Sequence, residues 1–320
     1  MSRVVLSDSD RFPFGPQGLE MLSAAGVALD EVPGHDPDAI AAAASGAHGV
    51  FVYSGTFDAA LIGRLTSCRI LARCGAGYNN IDVRAARALG IEVTYVPAYG
   101  AQDVAEHTIA LLLACARRLA ASDRAVQSGG WPAFAELGPM RRLAGQTLGL
   151  VGFGRIAREV ALLARGLRMR VIATDPHVDP AAGEPLGVRL TSLAQVLATA
   201  DFVSLHVPLS PATTHLIDDA ALSAMAPGSY LINTSRGAVV DQDALIRALD
   251  AGQLGGAALD VLEQEPAPGG AAVLSRPNVL ITPHSAAFTQ EAFAELQQTA
   301  LTDVLLVLRG AQPRFPVPDP

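Results

Sequence analysis

Arg236 and His284 are the two side chains whose chemistry and setting stand out in this sequence. Each lies just past a short apolar run, Tyr230–Asn233 before Thr234-Ser235-Arg236 and Val279–Thr282 before Pro283-His284. Such runs read as buried strands, and the positions just beyond strand ends are where open α/β sheets bind ligands. An arginine fork can hold a carboxylate in two places and polarise a neighbouring carbonyl oxygen. A histidine can give a proton to a developing alkoxide and take it back in the reverse direction. The pair therefore suits chemistry at a carbonyl or hydroxyl beside a carboxylate. Six further histidines make position the discriminator. His206 also ends a strand. His107 sits inside an apolar helix and is expected to be buried and hydrogen-bonded. His35, His48 and His215 carry no such signal.

A carrier for hydride is legible in the middle of the chain. The apolar run Thr147–Val151 passes directly into Gly152-Phe153-Gly154-Arg155-Ile156-Ala157, and a helical pattern follows. Strand, glycine turn and helix in that order form a dinucleotide fingerprint. Gly152 permits the tight turn, Gly154 lets a pyrophosphate approach the backbone, and Ala157 is the small third position that packs helix on strand. The helix start offers free N–H groups and the positive end of its dipole, with Arg155 and Ile156 in its first turn. Asp175 ends the next strand, about 20 residues beyond Gly154, where a carboxylate accepts from ribose hydroxyls and repels a 2′-phosphate. Pro176, His177 and Val178 follow with no arginine to hold a phosphate, so the expected cofactor is NAD rather than NADP.

These residues need a scaffold, and the chain alternates strand-like and helix-like segments almost throughout. In the first third, Val4–Leu6, Gly49–Val52, Ile70–Ala72 and Glu92–Thr94 read as strands. Gln17–Ala25, Ala39–Ser45, Asp58–Leu65 and Val83–Leu89 read as helices. A long apolar helix is expected from about Ala101 to Leu119, buried between two such series. The second series has strands at Thr147–Val151, Arg170–Thr174, Phe202–Leu205, Tyr230–Asn233, Ala257–Asp260 and Val279–Thr282. A last helix is expected over Gln290–Leu308. Such alternation implies α/β architecture, with parallel sheets covered on both faces.

Composition narrows the function. The chain has 320 residues, half of them hydrophobic, which suits two domains with sizeable cores. All 23 basic side chains are arginine. Mechanisms that need a lysine amine, such as Schiff-base, pyridoxal-phosphate and P-loop chemistry, are thereby excluded. A net charge of −8 argues against nucleic acid or an anionic membrane as partner. Cys68, Cys74 and Cys115 form no CxxC pair and no zinc-ligand spacing, and their apolar neighbours predict buried free thiols. The start MSRVVLSDSD lacks a signal-peptide core, and the apolar stretch Ile109–Ala116 is too short to span a bilayer, so a cytoplasmic protein is expected.

Taken in order, the motifs resemble the D-isomer-specific 2-hydroxyacid dehydrogenase family. They are Arg73-Cys74-Gly75-Ala76-Gly77-Tyr78-Asn79-Asn80-Ile81-Asp82, Val104-Ala105-Glu106-His107, Gly152–Ala157, His206-Val207-Pro208-Leu209 and Asn233-Thr234-Ser235-Arg236-Gly237. Leu259-Asp260-Val261, Gln264-Glu265-Pro266 and Thr282-Pro283-His284-Ser285-Ala286-Ala287 complete the set. Arg73 to Trp131 looks most like the C-terminal-binding-protein-like branch. Where the family often has aspartate this chain has Asn79, and Ser285-Ala286-Ala287 stand where glycines are common. The resemblance implies two doubly wound parallel-sheet lobes. A flavodoxin-like substrate domain would comprise 1–99 plus 286–320, and a Rossmann NAD-binding domain would comprise 100–285.

The resemblance also implies roles. Glu265 would pair with His284 and favour its charged form. Thr108, Thr234, Ser235 and Asp260 would line the nicotinamide side, and Val207 and Pro208 the adenosine side, in a loop where His206 would be structural. The N–H groups of Gly75, Ala76 and Gly77 would form a concavity for the substrate carboxylate, with Ser54 and Gly55 in the pocket beside Tyr53, Tyr78 and Tyr99. The expected activity is hydride transfer between NAD(H) and C2 of a small 2-oxo or 2-hydroxy acid. A homodimer formed through Val104–Leu119 and the arm to Trp131 is expected. The alternatives are an NAD-sensing corepressor-like binding protein and a short-form phosphoglycerate dehydrogenase. A phosphorylated substrate wants cations near Ser54-Gly55, where the nearest are Arg64 and Arg73. A formate or phosphite oxidant has no specific feature in its favour.

Overall fold

The structure, a computed structural model, describes residues 2–133 and 135–318. The chain begins β1 (Ser2–Leu6), α1 (Pro16–Ala24), β2 (Val27–Glu31), α2 (Pro37–Ala43), β3 (Gly49–Val52), α3 (Ala59–Ile62), β4 (Ile70–Arg73), α4 (Val83–Ala88), β5 (Glu92–Thr94). It continues α5 (Ala101–Ala116), α6 (Leu119–Gln127), β6 (Thr147–Val151), α7 (Arg155–Gly166), β7 (Arg170–Thr174), β8 (Arg189–Leu190), α8 (Leu193–Thr199), β9 (Phe202–Leu205). It ends α9 (Asp219–Ala224), β10 (Tyr230–Asn233), α10 (Gln242–Asp250), β11 (Gly256–Leu259), β12 (Val279–Ile281) and α11 (Gln290–Leu308). Residues 1–100 with 289–320 form one compact unit and 101–288 a second.

The first unit is a five-stranded sheet in the order β2-β1-β3-β4-β5, every pair parallel. That is the flavodoxin-like order. The buried stretches of its central strands are apolar because both faces are covered. Leu6, Phe51, Ile70 and Ala72 meet Leu296, Leu301 and Val304 of α11 on one side, while Val5, Val50 and Leu71 meet Ile40, Ile62 and Ala86 on the other. Helix starts are fixed by acids: Asp36, Asp58 and Asp82 each accept an N–H from the first turn of the helix they precede. The free edge of β5 is covered by the C-terminal segment, where Pro316 pairs antiparallel with Thr94 and Val317 donates to the Val93 carbonyl.

The second unit is a seven-stranded parallel sheet in the order β12-β11-β10-β9-β6-β7-β8. Counted from β6 this is the Rossmann order, and its topological switch point falls between β6 and β9. α5 and α7 pack together on one face, where Leu112, Ala157 and Ala161 meet Leu148, Leu150 and Ala173. Val196, Leu222 and Leu245 cover the other face. Among the described residues no helix is long and apolar enough to cross a membrane.

Two strands escape sequence periodicity. β2 reads Val-Ala-Leu-Asp-Glu, and β8 has two residues; both are edge strands, which need only one paired side and tolerate polar residues. The helix expected over Ala101–Leu119 stops at Ala116, because Arg118 adopts left-handed φ +49 and starts α6 in a new direction.

Candidate active site

The glycine turn sits at the switch point of the second sheet, and three contacts hold it. The Gly152 N–H donates to the Thr174 carbonyl at 2.8 Å, closing the turn between β6 and β7. Gly152 has φ +93, and a Cβ there would meet the His206 carbonyl at 2.5 Å, so glycine is required twice over. The Phe153 N–H donates to Asp175 Oδ2 at 2.9 Å, while Oδ1 accepts the His177 N–H at 2.9 Å. The carboxylate at the end of β7 is thus locked against the turn, with lone pairs left for other donors.

Gly154 differs from Gly152. It is exposed, caps α7 with extended backbone, and a Cβ built there meets no protein atom within 4 Å. A site kept free of side chain with no protein neighbour to require it, at a helix N-terminus lacking acids, fits a phosphate group. Arg155 is exposed and Ile156 half-buried in the first turn, while Ala157 is fully buried against the sheet. Val207 and Pro208 follow β9 on the other side of the switch point. These residues fit a dinucleotide.

Thr108, on α5, is fully buried. Its hydroxyl donates to the Val104 carbonyl at 2.7 Å and lies 3.0 Å from that of Thr234. The turn after β10 is shaped by Asn233. Its Oδ1 accepts both the N–H and the hydroxyl of Ser235, at 3.0 and 2.8 Å, and its Nδ2 donates to the Arg236 carbonyl at 2.9 Å. A buried asparagine at a strand end thereby fixes the backbone that presents Arg236. The guanidinium donates to the Ser235 carbonyl at 2.6 Å.

His284 is held with equal definition. It adopts left-handed φ +54, which costs a non-glycine residue about 1 kcal/mol and persists where surrounding bonds enforce it. Its N–H donates to the Asp260 carbonyl at 2.8 Å. The buried Asp260 carboxylate accepts from the Thr282 hydroxyl at 2.5 Å and from the Ser285 and Ala286 N–H groups, both at 2.9 Å. Asp260 therefore clamps the turn on both sides of His284. His107 joins this cluster, 3.0 Å from the Thr282 hydroxyl.

Nδ1 of His284 donates to Glu265 Oε2 at 2.6 Å, and Oε1 of the same carboxylate accepts the Leu262 N–H at 2.9 Å. Partial burial opposes the charge of Glu265. The hydrogen bond and charge of His284, the Leu262 N–H and the nearby Arg236 charge outweigh it, and the carboxyl lies below its ordinary range. The Nδ1 bond leaves Nε2 to exchange a proton. Three predicted residues from separate loops, Arg236, Glu265 and His284, thus act on one another.

His206 lies apart from this group. Its Nε2 is 2.9 Å from the Ser204 hydroxyl, and burial lowers its imidazole to about 4. No group of three or more His, Cys, Asp or Glu side chains able to hold a metal ion occurs among the described residues.

In the first unit the loops singled out from sequence are also built. Asp8, fully buried, accepts the Ser54 N–H and hydroxyl at 3.1 and 2.8 Å and the Gly55 N–H at 3.3 Å. Asn80 donates to the Tyr53 and Gly55 carbonyls at 3.3 and 2.7 Å. Arg73 donates to the Cys74 carbonyl, and its guanidinium occupies the space a Cβ on Gly75 would need, beside Ala76 and Gly77. Sequence reasoning did not single out Asp8, Asn80 or Asn233 as organisers. The available signal for Asn233 was an amide at a strand end before a Ser-containing turn.

A Rossmann sheet with a guarded glycine turn and an acid–base pair past its strand ends defines a dinucleotide-binding protein. Residues 109–286 match the D-isomer specific 2-hydroxyacid dehydrogenase, NAD binding domain. Glyoxylate reductase of Korarchaeum cryptofilum is 40% identical over 260 residues, 80% of this chain and 78% of that protein. The chain belongs to the D-isomer-specific 2-hydroxyacid dehydrogenase family, and its second unit carries the NAD-binding domain. D-3-phosphoglycerate dehydrogenase 2, chloroplastic, of Arabidopsis thaliana is 44% identical over 236 residues, 74% of this chain but only 37% of that relative's length. The TT0316 protein of Thermus thermophilus superposes with a TM-score of 0.90 at 34% identity, covering 99% of this chain and 100% of the other.

Proposed function

We propose that this protein is an NAD-dependent D-2-hydroxyacid dehydrogenase, moving a hydride between NAD(H) and C2 of a small 2-oxo or 2-hydroxy acid. The observation that carries the proposal is the His284–Glu265 hydrogen bond, with the Arg236 charge bearing on the same carboxylate. When bound, the reduced dinucleotide supplies the hydride. Arg236 holds the substrate carboxylate and polarises the carbonyl oxygen. Nε2 of His284 delivers the proton that the developing alkoxide needs, and Glu265 keeps the imidazole oriented. In oxidation the same nitrogen takes the proton back.

Gly152, Gly154, Arg155 and Ile156 are assigned to the pyrophosphate, and Asp175 to the adenosine ribose. Val207 and Pro208 are assigned to the adenine side, and Thr108, Thr234, Ser235 and Asp260 to the nicotinamide side. Ser54, Gly55, Gly75, Ala76 and Gly77 are assigned to the substrate. On this assignment the substrate domain is 1–99 plus 286–320 and the cofactor domain 100–285. We also infer a homodimer: α6 buries none of its residues within the chain, and Leu119, Val126 and Trp131 are exposed nearby. We infer a cytoplasmic location as well, and the net charge of −8 argues against a nucleic-acid partner.

A second reading, oxidation of 3-phosphoglycerate, is favoured by the 44% identity to the Arabidopsis relative. The cations it would draw on are engaged: Arg64 pairs with Asp38 at 2.7 Å, and Arg73 donates to Asn80 and to the Cys74 carbonyl. The deciding experiment follows NADH or NADPH absorbance with glyoxylate, pyruvate, hydroxypyruvate, a longer 2-oxo acid and 3-phosphohydroxypyruvate. Turnover of an unphosphorylated acid with NADH preferred over NADPH is expected. Turnover of the phosphorylated acid alone selects the second reading, and no turnover with any of them overturns both.

A further inference from the structure

His215 has no role in the proposed reaction, yet it sits where two of the active segments are joined. It adopts left-handed φ +50 in the loop between β9 and α9. Its backbone N–H donates to the Ala238 carbonyl at 2.8 Å, two residues beyond Arg236. Its ring Nε2 donates to Glu263 Oε1 at 2.5 Å, two residues before Glu265. One residue therefore holds the arginine turn with its backbone and the glutamate loop with its side chain. The two segments also touch directly, because a Cβ on Gly237 would land on the Leu262 carbonyl.

The Glu265 loop needs such a hold. Residues 263–266 are exposed, with little apolar burial to fix them. Glu263 and Glu265 project from the same short loop, and each is met by a histidine from another segment, His215 at 2.5 Å and His284 at 2.6 Å. The two bonds pin the loop at two points, one beside the reacting group and one behind it. A displacement of 1 Å in a catalytic group costs roughly a hundredfold in rate, so a remote contact that removes such play has kinetic weight. Its weight in folding is small, since both side chains of the His215–Glu263 pair are a third or more exposed.

We propose that the His215–Glu263 pair is a positioning latch, which fixes the loop carrying Glu265 against the turn carrying Arg236. The latch rests on the catalytic assignment of Glu265, and its test separates the two claims. His215→Ala and Glu263→Ala are each expected to lower kcat with glyoxylate, pyruvate or hydroxypyruvate about tenfold. NADH affinity by fluorescence should stay within about twofold, because the latch does not touch the glycine turn. The double variant should be no slower than either single one, as expected of residues acting as a unit. His215→Gln, which keeps a donor toward Glu263, should recover most of the rate. Adding His215→Ala to Glu265→Gln should cause no further loss.

A readout independent of turnover is the Leu262 amide, whose N–H is held by Glu265 itself. Its hydrogen exchange should quicken in His215→Ala and in Glu263→Ala. Unchanged Leu262 exchange in both variants, or wild-type kcat in both, overturns the latch while leaving the assignment of Glu265 intact. Wild-type activity in Glu265→Gln overturns that assignment instead. Fully additive losses in the His215→Ala, Glu265→Gln double variant show that His215 acts by some other route, and also overturn the latch.

Discussion

Nδ1 of His284 lies 2.6 Å from Oε2 of Glu265, although the two residues come from different loops of the second unit. The bond fixes which ring nitrogen exchanges a proton, because a carboxylate only accepts and Nδ1 must carry the hydrogen. Proton delivery in reduction then falls to Nε2. Glu265 is held below the ordinary carboxylate range despite partial burial. The carboxylate of the pair is therefore ionised above about pH 4.3, the usual glutamate value, and what its depression contributes to stability is lost as pH falls through its lower folded value.

The first prediction concerns how the loss divides. His284→Ala should lower kcat for reduction of a 2-oxo acid by about 10² to 10⁴, the usual worth of a placed general acid, with NADH affinity nearly unchanged. Arg236→Ala should lower kcat and raise KM together, because the guanidinium serves both binding and polarisation. Steady-state kinetics with fluorescence titration of NADH separates the two patterns. Near-native turnover in either variant would remove that residue from the reaction.

The two glycines of the turn should fail in different ways. A Cβ on Gly152 meets the His206 carbonyl at 2.5 Å on a residue with φ +93, whereas a Cβ on Gly154 meets nothing in the protein. Gly152→Ala should accordingly destabilise the fold, by roughly 1–3 kcal/mol or more. Gly154→Ala should melt as the wild type does but lose NADH affinity, because the methyl group stands where a phosphate would lie. Melting curves with and without NADH are the check. Equal NADH-induced stabilisation in Gly154→Ala and the wild type would show that the phosphates lie elsewhere.

What the sequence made legible was local. The strand before Gly152, the helix after it and the acid about 20 residues on are read from neighbouring positions. Arg236 and His284 each follow an apolar run, but His206 does too, and the family resemblance singles out the first two. The residues that hold them were not. Asp260 was expected to face nicotinamide, and its carboxylate is seen to clamp the turn at Thr282, Ser285 and Ala286, a contact that exists only once β11 and β12 are neighbours. Asp8 reaches Ser54 and Gly55 for a similar reason, since β1 and β3 are adjacent in the sheet though 46 residues separate Asp8 from Ser54. His215 carried no signal because its partner Glu263 is 48 residues away on another loop. Periodicity finds elements and motifs find turns, whereas long-range clamps depend on sheet order.

The cysteines give a prediction about reactivity. Cys68, Cys74 and Cys115 are buried and free, and burial pushes each thiol up to about 12. The thiolate is the reactive form and is almost absent from all three at about pH 8. Ellman's reagent should leave the native protein unlabelled and react with all 3 cysteines in concentrated guanidinium chloride. Rapid labelling of a native thiol would mean that one of the apolar clusters around them opens readily.

The last prediction turns His206 into a probe of the switch point. The residue as a whole is only partly buried, but its ring is enclosed beside the buried Ser204 hydroxyl, and its imidazole titrates at about 4. In the unfolded chain a histidine titrates near 6.5. Between those two values the unfolded state binds a proton that the native state refuses, so acidification favours unfolding across that window. Above about pH 6.5 neither state is protonated and the effect vanishes; below about pH 4 both are, and it grows no further. Over the whole window the difference amounts to roughly 3 kcal/mol. His206→Gln keeps an amide able to bond Ser204 but has no proton to gain. Urea unfolding at about pH 7 and pH 4 should show the wild type losing more stability than this variant, by an amount of that order. Parallel losses in the two proteins would mean that the His206 ring is solvated in the native state.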